Sequence, residues 1–250
     1  KTASQYGLSE ASILYECNVE GSMTRLMGIW ENWKDLEKVG NIRSCRDYYL
    51  YWAFEWDAIY IHYGGPFYID DLIARDDTEY REGYSDETHY QFATNAEPNT
   101  LEQYSDAITA EKIDMSPAYP VTNCYFIYNE ETGLYDRYQH LSGDSDGPHI
   151  DLANNKQLSF KNILVQNTYF EVRDQKGYLS FQCHDTTRDG WFFTNGKGIH
   201  VNWEKTSDYG ATRYYDDDGN EIKLNTGKTM VCILEDGDTF NVDDKSIESN

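Results

Sequence analysis

VGNIRSCRDYYLYWAFEWDAIYIHYGGP, residues 39–66, sets two arginines, eight aromatic rings, a histidine and a Gly-Gly-Pro in one short span. Arg43 and Arg46 flank Ser44 and Cys45. Tyr48, Tyr49, Tyr51, Trp52, Phe54 and Trp56 follow, and an apolar run then ends in His62 and Gly64-Gly65-Pro66. This order predicts strand, turn, helix, strand and loop. Ser44 and Asp47 stand at the S-x-x-D spacing of a capping box, so a helix is predicted to begin near Ser44. Its rings cover more than one face, which suits a helix packed between layers. The run 58–63 is predicted to be a strand that delivers His62 at its C-terminal end. Cations at a helix N-terminus oppose its dipole. A negative group is therefore expected beside Arg43 and Arg46, either a carboxylate of this chain or a ligand.

Toward the N-terminus, residues 9–12 predict a short helix. Residues 15–19 and 24–30 predict a hairpin around Glu20-Gly21-Ser22, with Gly21 at a position that needs positive φ. Glu20 and Arg25 lie at the base of that turn. They form a cross-strand ion pair, worth little at a surface, or Arg25 joins Arg43 and Arg46 in one electropositive pocket.

Gly7-Leu8-Ser9-Glu10-Ala11, Val19-Glu20-Gly21, Thr24-Arg25-Leu26-Met27 and Val39-Gly40-Asn41-Ile42-Arg43-Ser44 together resemble the YerB family of bacterial lipoproteins. His149-x-Asp151, Asn162-Ile163-Leu164-Val165-Gln166 and Gly227-Lys228-Thr229 continue the likeness in the family's order. The family's middle Arg-x-x-Pro-His-Asn-like stretch is matched only by His89 in Thr88-His89-Tyr90. The resemblance implies an α+β fold, a YerB-like three-layer (β-β-α) sandwich. It also implies an extracytoplasmic location, with a lipid on the precursor anchoring it to the outer face of the cytoplasmic membrane. The family carries no established activity.

The chain has 250 residues, 39% of them apolar and 15% aromatic, enough for a substantial core. Its 21 basic and 44 acidic residues leave a net charge of −23. Nucleic acid is excluded as a partner by charge, and anionic bilayer surfaces are repelled. No apolar run is long enough to span a membrane, so membrane contact is expected only through the upstream anchor. Five scattered cysteines lack C-x-x-C spacing, which excludes a zinc ribbon. They are expected to be buried as small hydrophobes.

Beyond Pro66 the sequence turns acidic from Asp76 to Glu87, an irregular connection that could lie over the arginines. Residues 100–113 predict an amphipathic helix, with Thr100 and Gln103 as a capping box. Pro117 and Pro120 mark the clearest internal boundary. They divide an N-terminal α/β part, 1–118, from a β-rich part, 119–240, and an acidic tail, 241–250; residues 238–250 are expected to fray. The two parts are expected to share one core. After Pro120 short strands recur with turn signals between them, predicting mostly antiparallel sheet. Among these is a long strand at 158–170.

No G-x-S-x-G, H-E-x-x-H, Walker A or G-x-G-x-x-G pattern occurs. The Asp-rich turns at 144–147 and 216–219 lack the final Glu of a calcium loop. His149 and Asp151 share one face of an extended segment, too few groups for a firm metal site. No cofactor, metal or catalytic residue is assigned. The candidate ligand-binding set is Glu20, Arg25, Arg43, Arg46, Tyr48, His62, His149 and Asp151. It suits a non-catalytic surface module binding an anionic or glycan envelope ligand or a protein partner. The alternative is an envelope enzyme acting on a phosphorylated or glycan substrate, with His62 or His149 as acid–base. Arginines tied up in internal ion pairs beside an exposed apolar patch would favour a protein partner.

Overall fold

A computed structural model describes residues 4–75, 94–95, 98–142 and 145–249. His89 and the acidic connection from Asp76 to Glu87 fall outside the described residues. After a short turn at Leu8–Glu10, strands β1 (Ile13–Val19) and β2 (Met23–Ile29) form the expected hairpin. Gly21 turns it at a φ of 78°, in the left-handed region that glycine occupies without strain. Helix α1 is Asp47–Phe54 and the short helix α2 is Asp70–Ile73. Then come β3 (Lys112–Asp114), β4 (Tyr125–Asn129) and β5 (Leu134–Ser142). They are followed by β6 (Asn162–Thr168), β7 (Phe170–Val172), β8 (Leu179–Phe181), β9 (Asp185–Thr194) and β10 (Lys197–Lys205). The last are β11 (Arg213–Tyr215), β12 (Thr229–Glu235), β13 (Thr239–Val242) and β14 (Lys245–Glu248).

The protein is mostly β. Its central sheet runs β11-β10-β9-β6-β12-β1-β2. Most pairs are antiparallel, as expected, but β12 runs parallel to both neighbours: Leu14 and Ile163 both register with Met230. The sheet is therefore mixed. Every residue of β1 and β6 is buried, as in sheets covered on both faces. Tyr15 and Cys17 point to one face, where Tyr48, Tyr49 and Trp52 of α1 pack. Leu14 points to the other, against Phe126, Tyr135, Phe160 and Phe240 of a second sheet. That sheet runs from Ser159–Phe160 through β5, β4, β3 and β13 to β14.

Five local expectations are corrected. Helix α1 starts at Asp47 with Arg46 at its N-cap and no side-chain cap, so Ser44 and Asp47 form no capping box. Residues 58–63 form no strand. Residues 100–113 form no helix: the Asn99 side chain accepts the Leu101 amide at 3.2 Å and the Gln103 amide group at 3.1 Å, closing a turn. Leu101 (φ 58°) then enters one core cluster and Ile113 the other. The tail beyond 238 is not frayed, because Phe240 and Val242 bury in the second sheet and β13 pairs with β3. The long run at 158–170 splits at Lys161, where the chain passes from the second sheet to the central one.

The two sheets meet across a buried charge. Glu16 on β1 accepts Arg137 of β5 at 2.8 Å and the Thr24 hydroxyl at 2.6 Å. Burial opposes the Arg137 charge, but the Glu16 carboxylate more than offsets this and holds the guanidinium pKa above its ordinary value. Removing one partner of such a pair strands the other. Arg137→Met is expected to cost about 3–5 kcal/mol in urea unfolding, and adding Glu16→Leu should restore most of the loss.

Candidate functional site

The β1–β2 turn presents Glu20, β2 presents Arg25, and the extended chain entering α1 presents Arg43 and Arg46. Glu20 takes an ion pair from the Arg46 guanidinium, whose Nε lies 3.3 Å from the carboxylate, and Arg25 approaches to 3.7 Å. Arg46 Nη1 also donates to the Cys45 carbonyl at 2.7 Å, and the guanidinium stacks over Tyr178 at 5.0 Å. Arg25 donates to the Ser44 carbonyl at 3.0 Å. Arg46 is 2% exposed. Burial works against its charge, and the Glu20 carboxylate overcomes that and raises its pKa. The negative group that the sequence calls for at the start of α1 is thus Glu20. Asp47, at the first helical position, adds a second by pairing with Arg173.

Tyr48 is buried among Tyr49, Trp52 and Phe181, and its hydroxyl has no partner among the described residues. Its ring is core, with no face open to a sugar. Cys45 is also buried, and burial pushes its thiol up to about 12, where it is no nucleophile. All five cysteines are buried and unbridged.

Arg43 differs from the other two arginines. Its side chain is exposed and has no ion pair among the described residues. Its carbonyl accepts the Tyr63 amide at 2.9 Å, and the Cys45 amide reaches the Gly64 carbonyl at 2.9 Å. These two bonds dock residues 63–64 on the segment before α1. Gly64 holds a φ of 74°, and a Cβ at Gly65 would come 2.2 Å from Ile69, so the turn depends on both glycines. His62 has Nδ1 2.9 Å from the Gly64 carbonyl and its ring stacked on Tyr60 at 5.5 Å.

His149 and Asp151 lie apart from this cluster, beneath residues 5–9. The Asp151 carboxylate accepts the amides of Gly7, Ser9 and Ala153, each at 2.8 Å. Burial raises its pKa, and those amides overcome burial and leave it lowered. His149 contacts Arg137 through Nδ1 and Gln5 at 2.5 Å through Nε2. Burial and the Arg137 charge hold its pKa well below 6.5, so the imidazole is neutral at pH 7. The structure therefore brings Glu20, Arg25 and Arg46 together, sets Arg43 and His62 beside them, and places His149 and Asp151 elsewhere.

Two features were missed from sequence. Glu55 and Lys205 form a fully buried pair at 3.3 Å, with Tyr15 and Thr212 completing the carboxylate's hydrogen bonds. No local signal marks them beyond charge beside apolar runs. The second is an exposed apolar surface: Ile59 is 90%, Ile61 73%, Tyr63 81% and Phe67 75% exposed. The sequence predicts a strand over 58–63, and in the structure the same run is extended with Ile59, Ile61 and Tyr63 outward. Among the described residues no group of three or more metal-ligating side chains occurs, and no helix is long and apolar enough to cross a membrane.

Comparison with known proteins places this geometry. Residues 1–116 match the model of the N-terminal domain, and residues 112–231 that of the C-terminal domain, of a protein of unknown function (DUF3048). The chain belongs to this family. It is 24% identical over 270 residues to "Putative lipoprotein YerB" of Bacillus subtilis (strain 168), spanning 97% of this chain and 80% of that protein. The crystal structure of YerB protein from Bacillus subtilis matches with a TM-score of 0.70 at 19% identity, over 92% of this chain and 85% of that one. The YerB resemblance seen in the sequence holds, and the shared fold is the mixed and antiparallel sheet system described above.

Arg46→Ala is expected to lose about 2–3 kcal/mol in chemical unfolding, less than a fully buried pair because Glu20 keeps solvent contact. Arg43→Ala should stay within about 0.5 kcal/mol of the parent. For His149 the folded pKa lies below the unfolded value of 6.5, so the unfolded chain binds the extra proton. Stability should therefore fall as pH drops below that value. His149→Gln should flatten this slope between about pH 7 and pH 5, read from thermal midpoints.

Proposed function

We propose that this DUF3048 chain is a non-catalytic, extracytoplasmic binding module whose ligand is a protein. One observation carries the proposal. Two of the three candidate arginines are consumed by Glu20, while Ile59, Ile61, Tyr63 and Phe67 stand exposed beside them. Internally committed arginines next to an exposed apolar patch fit a docking surface better than an anion pocket. The geometry of the two histidines supports the non-catalytic part. His149 is enclosed by Arg137 and Gln5, and His62 turns back to its own loop. A second reading, an anionic or glycan envelope ligand, draws on Arg43, which is exposed beside His62.

The location rests on the relative's name as a lipoprotein. A lipid on the precursor would hold the module at the outer face of the cytoplasmic membrane. The scaffold in this proposal is a three-layer β-β-α sandwich, in which α1 and the β7–β8 hairpin form the third layer. Residues 1–118 and 119–240 share its core, because β1 lies between β2 and β12.

A photo-crosslinking residue at position 61, in cells that make the chain, should give a discrete protein adduct. The same residue at exposed position 131, on the β4–β5 turn, should not. Adducts only to lipid or wall polymer, or the same adducts from both positions, would sink the proposal.

A further inference from the structure

Residues 58–63 are held at both ends and open between. Ala58 donates to the Ala53 carbonyl at 3.3 Å and Tyr63 to the Arg43 carbonyl at 2.9 Å. The amides and carbonyls of residues 59–62 have no hydrogen-bond partner among the described residues. Exposure alternates along the same run, with Ile59, Ile61 and Tyr63 outward and Tyr60 and His62 partly covered. That period of two is the signature of an extended chain. Tyr60 anchors the inner side, packed against the Cys45, Leu50 and Ile69 cluster. Among the described residues, an extended, anchored segment with unpaired backbone and an apolar outer face is an unprotected strand edge. Native edges are usually blunted by lysine, proline or a bulge, and this one carries two isoleucines and a tyrosine.

We propose that residues 58–63 take up an extended segment of a partner protein by strand addition, and that this segment alternates apolar side chains with lysine or arginine. The inference rests on the protein-binding function proposed above. The unpaired backbone asks for a strand, since main-chain bonds supply the affinity in that mode. The outward isoleucines ask for apolar side chains. The charge of the partner follows from what brackets the run. Asp57 precedes it and Asp70 and Asp71 follow it, all exposed, with Arg43 the cation on the adjoining segment. A second copy would bring the same carboxylates together and set a net charge of −23 against −23. A cationic strand meets neither penalty.

The probe is a short peptide of alternating lysine and valine. It is compared with its glutamate–valine counterpart and with a lysine–valine peptide N-methylated at alternate residues. Each is titrated into the full chain by calorimetry, and amide hydrogen exchange is read at residues 59–62. The lysine peptide should bind at least tenfold tighter than the glutamate peptide, weaken as salt rises, and slow exchange at those amides at least tenfold. N-methylation should weaken it at least tenfold. Ile61→Asp should do the same without moving the thermal midpoint, since that side chain is exposed. Equal binding of the glutamate or methylated peptide, or no binding, overturns the proposal. So does a dimer whose amides at 59–62 are already protected, because it assigns the edge to a second copy. If the peptides fail while crosslinking from position 61 still yields a protein adduct, strand addition falls and the protein-binding function stands. If both fail, the function falls with it.

Discussion

Glu16 is a charged residue in a strand with no solvent on either face. Every residue of β1 is buried, and Glu16 is the only one of the seven that carries a charge. An unpaired carboxylate there would cost several kcal/mol. The second sheet must therefore dock so that Arg137 reaches it, which fixes how β5 lies over β1. Thr24 supplies the other carboxylate oxygen with a donor, and the Cys124 thiol lies at 3.7 Å. Tyr119 packs alongside, its hydroxyl 3.0 Å from the Glu16 carbonyl and 2.8 Å from that of Ile233. The segment with two prolines is thus drawn into the core by the strands it follows and precedes. The apolar contacts between the sheets are non-directional, and the Glu16–Arg137 pair sets one arrangement among them.

The same logic runs through the rest of the chain. With 21 basic residues against 44 acidic ones, a cation is scarce and a carboxylate is not. Arg137 serves Glu16, Lys205 serves Glu55, Arg46 and Arg25 serve Glu20, and Arg173 serves Asp47. Scarcity of basic residues works here as an architectural rule. Where few cations exist, those near buried carboxylates become counter-ions. Arg43 lies three residues from Arg46 but has no ion pair among the described residues, and the difference comes from the turn that places Glu20.

What could be read from sequence follows the range of the physics. The hairpin at Gly21 was legible because glycine at a tip between two short strand-like runs is a local signal. Strand β12 was legible from its apolar run, but its parallel pairing with β1, more than two hundred residues away, was not. The region 100–113 misled because Leu101 and Ile113 were assigned to one helical face. They belong to different clusters, and the Asn99 side chain settles the matter by closing a turn. The tail was judged by its polarity, although Phe240 and Val242 alternate correctly for an edge strand. At the site, the pairing of Glu20 with Arg25 followed from their places at the β1–β2 turn. The burial of Arg46 did not, because the ring of Tyr178 that covers it comes from a distant hairpin.

Residues 58–63 show the limit of alternation as a signal. Period two reports an extended chain with two unlike faces. It does not report whether another strand of the same molecule lies alongside. Here the inner face is satisfied by Tyr60 and the ends are pinned by Ala53 and Arg43, so the segment is held in place with no neighbouring strand among the described residues. The clamp beneath it is internal: Arg46 is neutralised by Glu20, and the Cys45 amide holds the Gly64 carbonyl. An ordinary surface loop with the same anchoring would turn polar side chains outward. Against the described residues Ile59 and Ile61 are 90% and 73% exposed, and their replacement by serine would remove no core contact among them. Among the described residues no contact accounts for their outward placement, and the strand addition proposed above would supply one.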